Sequence, residues 1–315
     1  MHPHDPIAAA LDHCLSAPTA VPPLDSVDRW WPGWAALAAQ PSSPMALALL
    51  GGFAADRVGW AFAAGYQSAL RALVPSLPMQ ALAAFCVTEE GGNRPRDIRT
   101  LITPDAGGGF EVSGAKRWTT LGPQGTLLLV TGQLAGAATD ERPALKVALV
   151  RADQPGVTIM PMPETAFVPE VPHARIQLQD VAIDASSLLP GDGYSDYVKP
   201  FRTLEDSLVT AAVLAYLLRE ARARGWPADL RERLAATLAA LATVAQSPRD
   251  APATHIALAG ALHWAAALYH EAGALWATTP DDPASRRWLR DAPLFAVAAS
   301  ARQQRAARAW EQLQA

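Results

Sequence analysis

Two stretches decide how this chain is read: Phe85-Cys-Val-Thr-Glu-Glu-Gly-Gly-Asn-Arg, residues 85–94, and Gly114-Ala-Lys-Arg-Trp-Thr-Thr, residues 114–120. The first is an apolar strand that runs into a glycine turn, which leaves backbone N–H groups and the Thr88 hydroxyl free to meet a ligand. The second sets a tryptophan and two hydroxyls at the end of another strand. An aromatic plate beside hydroxyl and amide donors suits a planar heteroaromatic ring. The same residues also read as a plain strand–turn–strand corner around a core tryptophan.

Outward from these stretches the pattern stays strand-like between residues 82 and 189. Segments 83–88, 126–131, 145–150 and 174–183 carry β-branched or alternating residues, and glycine- and proline-rich turns separate them at 104–109, 122–125 and 161–172. An antiparallel β domain of about six to eight strands is expected. Upstream the chain is rich in alanine and leucine, and residues 45–60 read as one apolar helix weakened by Gly51 and Gly52. Downstream, segments 199–224, 227–245, 255–276 and 283–313 are each long enough for a bundle helix. The fold class is therefore α+β, with helical residues 1–83, a β-barrel or sandwich at 84–192 and a helical bundle at 193–315.

Composition bounds the function. Half of the 315 residues are hydrophobic and 18% are charged, so the chain can bury a large core and is not disordered as a whole. A net charge of −4 argues against a nucleic-acid binder, which carries a basic stripe. Cys14 and Cys86 stand far apart, which excludes a disulfide framework or zinc ribbon and fits a reducing compartment. Residues 1–14 hold acids and histidines where a signal peptide needs a basic start and an apolar run. Apolar stretches such as 44–55 and 259–268 are too short to span a bilayer. A soluble, cytoplasmic protein is expected, without membrane or nucleic-acid partners.

Three further features read as structural. His255, His263 and His270 share a helix face without carboxylates in ligand spacing, so no metal is expected. Trp30-Trp-Pro-Gly-Trp reads as a packing cluster. Arg302-Gln-Gln-Arg-Ala-Ala-Arg reads as a solvated or intersubunit helix face.

Cys86-Val-Thr-Glu-Glu-Gly-Gly, then Ile98-Arg-Thr, then Phe110-Glu-Val-Ser-Gly-Ala-Lys-Arg-Trp-Thr-Thr resembles the middle domain of the acyl-CoA dehydrogenases. That family reads Thr-Glu-Pro-x-Ala-Gly-Ser-Asp, Ile-x-Thr and Asn-Gly-x-Lys-x-Trp-Ile-Thr. The resemblance continues through Gln154-Pro-Gly-Val and Ile176-Gln-Leu-Gln-Asp-Val-Ala-Ile-Asp-Ala-Ser-Ser-Leu-Leu. Upstream, Gly65-Tyr-Gln-Ser-Ala-Leu-Arg resembles the helix that enters the domain, and downstream Arg286-Arg-Trp-Leu-Arg-Asp-Ala is similar to a family run ending in Arg-Asp-Ala. The likeness covers roughly 65–315 and is densest over 84–190. Against that family the chain is a short, divergent member, with a brief helical region before the β domain.

The resemblance implies an FAD site. Phe85, Val87 and Thr88 would meet the pyrimidine edge of the flavin, while Trp118, Thr119 and Thr120 would cover its face and bond near N5. Asn93 and Arg94 stand where the family has Gly-Ser and are the substrate-binding candidates. The implied reaction is α,β-dehydrogenation of an acyl thioester, on coenzyme A or a carrier protein. A carboxylate takes the α-proton, and hydride passes to flavin N5.

Most members place that carboxylate seven residues after Arg-Asp-Ala, where this chain has Ala299. A minority place it on the first long C-terminal helix, and there Thr203-Leu-Glu-Asp-Ser-Leu puts Asp206 at the base position with Glu205 beside it. The bottom-up alternative is a pair of ordinary first-turn helix acids. Family tetramers hold the ADP part of FAD through Arg-x-x-Phe-Gly and Gln-x-x-Gly-Gly segments; here only Arg222 and Gly273 echo them. Expected partners are the acyl thioester, an electron-accepting flavoprotein and further copies in a dimer or tetramer. The alternatives are a degenerate binding or assembly subunit with weak or no FAD, or a flavoprotein with repurposed oxidation chemistry.

Overall fold

A computed structural model describes residues 5–40, 42–137 and 143–314. His2 and His4, in the segment read for a signal peptide, lie outside the described residues, as do residues 138–142. The chain divides into two compact units. One holds residues 1–75, 166–170 and 203–315, and the other holds 76–165 and 171–202.

The helical unit begins with α1 (Pro6–Ser16), α2 (Val27–Ala38), α3 (Pro44–Phe53) and α4 (Val58–Leu73). Asp5 and Ser43 cap α1 and α3 by accepting the Ile7 and Ala46 amides, with proline at the first helical position of each. Residues 45–60 therefore form two helices rather than one, and the break falls at Ala54–Arg57, not at the glycines. Gly51 and Gly52 sit inside α3 for a different reason: a Cβ on Gly52 would run into the Ala212 backbone. Gly65 on α4 meets Val209 in the same way. The glycines let helices approach closely. The tryptophan motif is a packing cluster, with Trp30 stacked on Trp60 at 5.5 Å and Trp31 on Trp34 at 5.3 Å.

The remaining helices are α5 (Lys199–Ala223), α6 (Ala228–Ala245), α7 (Pro252–Ala277), α8 (Pro283–Asp291) and α9 (Ala299–Gln314). The stretch 283–313 is thus two helices with a 3₁₀ turn over Ala292–Ala296, because Pro293 lacks the N–H that a continuous helix needs. Fully buried Asp291 accepts the Val168 amide at 2.7 Å, and Arg290 pairs with Glu170 at 2.8 Å. These bonds tie residues 166–170 to the helices and account for the Arg-Asp-Ala run.

The β unit is one seven-stranded sheet among the described residues: β1 (Ala83–Cys86), β2 (Leu101–Pro104), β3 (Phe110–Thr120), β4 (Leu127–Leu134), β5 (Leu145–Arg151), β6 (Val157–Pro161) and β7 (His173–Ile183). The order is β1-β4-β2-β3-β7-β6, with β5 also paired to β4. The sheet is mixed rather than antiparallel, because β4 runs parallel to both β1 and β2 while its other edge takes β5 antiparallel. The β2–β3 hairpin supplies the crossover that parallel pairing of β1 with β4 requires. It is not a closed barrel. Ile102, Val112, Leu128, Val130, Val150 and Ile176 fill its core.

No helix among the described residues is long and apolar enough to cross a membrane. No group of three or more histidines, cysteines, aspartates or glutamates among them could hold a metal ion.

Candidate functional site

The two motif stretches meet at one corner of the β unit. The Thr88 carbonyl accepts the Arg117 amide at 2.8 Å, which joins the end of the first motif to the middle of the second. Below that bond Glu89 is nearly sealed. It accepts from the Arg99 amide at 2.7 Å, the Thr100 amide at 3.0 Å, the Thr100 hydroxyl at 2.7 Å and Lys116 Nζ at 2.6 Å. Burial alone would raise this carboxyl. The Lys116 charge and the bonds from Lys116 and Thr100 outweigh it and hold the group below its ordinary value. Glu89 and Lys116 were not read as site residues from the sequence; their spacing of 27 residues gives no local signal of a pair.

Local backbone irregularity decides which side chains face outward. In the β3–β7 ladder Lys116 faces Ile176 and Thr119 faces Ala174, so β3 carries one extra residue between them. Strict alternation would bury Trp118 with Lys116. The bulge instead buries Lys116 and Thr119 and turns Trp118 out, 46% exposed, at φ +57°. Positive φ is an outlier for a bulky residue and marks a candidate functional position. Trp118 is therefore not a core tryptophan. Its amide donates to Met162 Sδ at 3.3 Å, and its ring meets His173 edge-on at 5.9 Å.

The other candidates in this unit fall on both sides of the sheet. Thr120, half-buried, lies directly across from His173, with Oγ1 3.4 Å from Nε2. Thr119 points inward and its hydroxyl approaches Cys86 Sγ at 3.8 Å. Phe85 is buried edge-on against Phe201 at 5.1 Å, whereas Val87 and Thr88 are half-buried where the strand ends. Asn93 and Arg94 are exposed in the turn after Gly92, whose φ of +131° suits glycine, and the Arg94 amide is held by Asp97 at 3.1 Å. Burial pushes the Cys86 thiol up to about 12, so it is no nucleophile at neutral pH.

Glu205 and Asp206 belong to the helical unit, on α5. Glu205 is half-buried. Asp206 accepts Arg302 Nε at 2.8 Å on one oxygen and an Arg305 terminal nitrogen at 2.7 Å on the other. Arg302 and Arg305 are thus turned inward onto α5, not displayed as a solvated face. Ala299 is exposed at the start of α9. Arg222 is spent within its own unit, on the Cys14 and Ala17 carbonyls at the end of α1.

The donor set at the β3 end fits a planar aromatic ring: an outward indole plate, a hydroxyl and an imidazole lie together beside the strand end of Val87 and Thr88.

The sequence profile of the acyl-CoA dehydrogenase middle domain matches residues 84–181. Probable acyl-CoA dehydrogenase FadE10 of Mycobacterium tuberculosis is 27% identical over 132 residues, which is 41% of this chain and 20% of that protein. Butyryl-CoA dehydrogenase from Megasphaera elsdenii shares the fold with a TM-score of 0.66 at 16% identity, over 97% of both chains. The FAD complex of PigA does so with a TM-score of 0.67 at 13% identity, over 96% of both. Residues 84–181 are thus similar to the acyl-CoA dehydrogenase middle domain, and the chain shares the fold of solved acyl-CoA dehydrogenases.

Proposed function

We propose that this chain binds FAD on its β unit and oxidises an acyl thioester between the α and β carbons. The observation that carries the reading is the β3 bulge, which holds a strained Trp118 outward beside Thr120 and His173. FAD, when bound, supplies the two-electron acceptor that such an oxidation requires. Trp118 provides a plate for one ring face, Thr120 a hydroxyl at the ring edge, and Val87 and Thr88 the strand end beside it. Phe85 and Thr119 support these residues from within the sheet. Asn93 and Arg94 present an amide and a guanidinium to polar parts of the substrate.

Asp206 is the carboxylate that would take the substrate α-proton, with Glu205 next to it. Both Asp206 oxygens already accept guanidinium donors, so one arginine must move before it reaches a substrate proton. That double clasp, with alanine at 299, supports a second reading: a subunit that binds flavin or acyl thioester without turning it over. In the first reading, electrons leave through an electron-accepting flavoprotein, and copies of the chain assemble as a dimer or tetramer.

The purified protein tests both readings. A yellow protein whose flavin band bleaches anaerobically with an acyl thioester, on coenzyme A or a carrier protein, supports the dehydrogenase. A yellow protein that does not bleach with either supports the binding subunit. A colourless protein that takes up no added FAD overturns the flavin site.

A further inference from the structure

We propose that the loop between Glu89 and Thr100 is a docking surface for an acidic carrier protein, which brings the acyl thioester to the Trp118 corner. The inference rests on the acyl-thioester reading above and chooses a carrier protein over coenzyme A as the thioester's source.

The loop is a rigid display. Glu89 fixes both ends: its amide and carbonyl pair with Gly92 at 2.9 and 3.1 Å, and its carboxylate takes the Arg99 and Thr100 amides. A 3₁₀ turn over Pro95–Asp97 shapes the middle, where Asp97 accepts the Arg94 amide at 3.1 Å. Ile98 and Thr100 are buried and anchor the loop, while Arg94, Arg96 and Arg99 are exposed. A backbone ordered before its partner arrives lowers the entropy cost of association.

The charge of these arginines is not spent within the loop. Glu89 is neutralised by Lys116, and Glu90 takes Arg117 at 2.8 Å and Arg175 at 3.3 Å. Asp97 is left, and its approach to Arg96 Nε, at 3.8 Å, is too long for a hydrogen bond. Among the described residues no carboxylate pairs with Arg94 or Arg99. Elsewhere Arg151, Arg224, Arg233 and Arg290 each hold a carboxylate at between 2.6 and 2.8 Å. An open cluster of arginines is a departure from that habit, in a chain whose net charge is −4. Such a local positive field steers an acidic partner.

Shape selects a protein as that partner. A small phosphate-bearing molecule is held in a concave site where donors converge. These arginines stand instead on an outward turn, and the Arg96 side chain is 75% exposed. Exposed arginine suits a protein interface. The loop starts next to Thr88, whose carbonyl holds the amide of the residue before Trp118. A carrier seated on the loop therefore delivers its thioester to that corner.

Binding of a butyryl-loaded acidic acyl carrier protein, followed by fluorescence anisotropy of the labelled carrier, tests this. At about 50 mM salt the wild type binds the carrier, and Arg96→Ser/Arg99→Ser binds it about tenfold more weakly. Arg96→Lys/Arg99→Lys stays close to the wild type, and at about 500 mM salt the three proteins converge. Butyryl-CoA, titrated by calorimetry, binds the wild type and the serine variant alike. A wild type that does not bind the carrier, a serine variant that binds it equally, or a lysine variant as weak as the serine one overturns the proposal. So does a gap that survives high salt. An equal loss for butyryl-CoA assigns the arginines to a phosphate of the coenzyme and overturns it too. Carrier binding is read without flavin, so protein that binds the carrier but takes up no FAD overturns the flavin reading alone.

Discussion

Lys116 Nζ lies 2.6 Å from Glu89 Oε1, the lysine side chain wholly buried and the glutamate side chain 7% exposed. Each residue sits in one of the two motifs. The pair holds the strand end of the first motif against the bulge of the second, at the level where Trp118 turns out.

Removing one partner of a buried pair leaves an uncompensated charge. Lys116→Met is expected to cost about 3–5 kcal/mol, read as a fall in the denaturant midpoint. Glu89 is held below its ordinary value, so its stabilisation is present above the unfolded carboxylate value of 4.5 and lost as pH falls through the folded one. An acid limb that stays where it was in Lys116→Met would show that the pair does not carry this stability.

On the proposed flavin reading, Trp118 trades stability for function. Asparagine tolerates positive φ, and a side chain 46% exposed gives up little packing. Trp118→Asn should match or exceed wild-type stability by about 1 kcal/mol while losing bound flavin. Denaturation curves and flavin content are read on one sample, and lower stability with flavin intact would contradict the assignment.

The glycines separate packing from propensity. A Cβ on Gly65 enters the Val209 backbone, whereas one on Gly260 in α7 meets nothing within 4 Å. Alanine improves helix propensity by about 1 kcal/mol at either place. Gly260→Ala should therefore stabilise by up to about 1 kcal/mol, and Gly65→Ala should destabilise by about 2 kcal/mol. Thermal midpoints that move together would refute the close approach.

The Asp206 clasp is partly exposed, with side-chain exposures of 28% and 18% for Arg302 and Arg305. Asp206→Ala should cost about 1–3 kcal/mol, between exposed and buried ion pairs. A double-mutant cycle with Arg305→Ala should give a coupling of about 1 kcal/mol. Strict additivity would mean that the clasp does not form in solution. Anaerobic bleaching of the same variants then separates a structural role from a chemical one.

Long apolar and alternating runs make most of the architecture legible in the sequence. Strand segments 83–88, 126–131, 145–150 and 174–183 correspond to β1, β4, β5 and β7, since β7 alternates buried and exposed residues while β1 and β4 are apolar runs buried on both faces. Short β2 and half-exposed β6 carry no such contrast. Helix ends at Ala54–Arg57 and at Pro293 were lost inside apolar runs, because composition outweighed punctuation. The parallel pairing of β4 was not legible either, as it depends on partners far apart in sequence. At the site, the motifs led to Trp118 and Thr120. His173 and the Glu89–Lys116 pair emerge only when β3 is laid against β7 and the turn after Thr88, and the bulge that aims Trp118 breaks the very periodicity a sequence reader relies on.

The five-residue excursion at 166–170 sets an order of events during synthesis. The β unit is complete once residue 202 has emerged from the ribosome, apart from that short loan to the helices. The helical unit cannot close so early. Nearly every residue of α4 is buried, yet the α5 backbone that meets Gly52 and Gly65 is made more than a hundred residues later. The nascent chain therefore carries α3 and α4 with their apolar faces unsatisfied while the sheet folds after them. An expression host slow in translation or short of chaperones should lose this protein to aggregation at that stage.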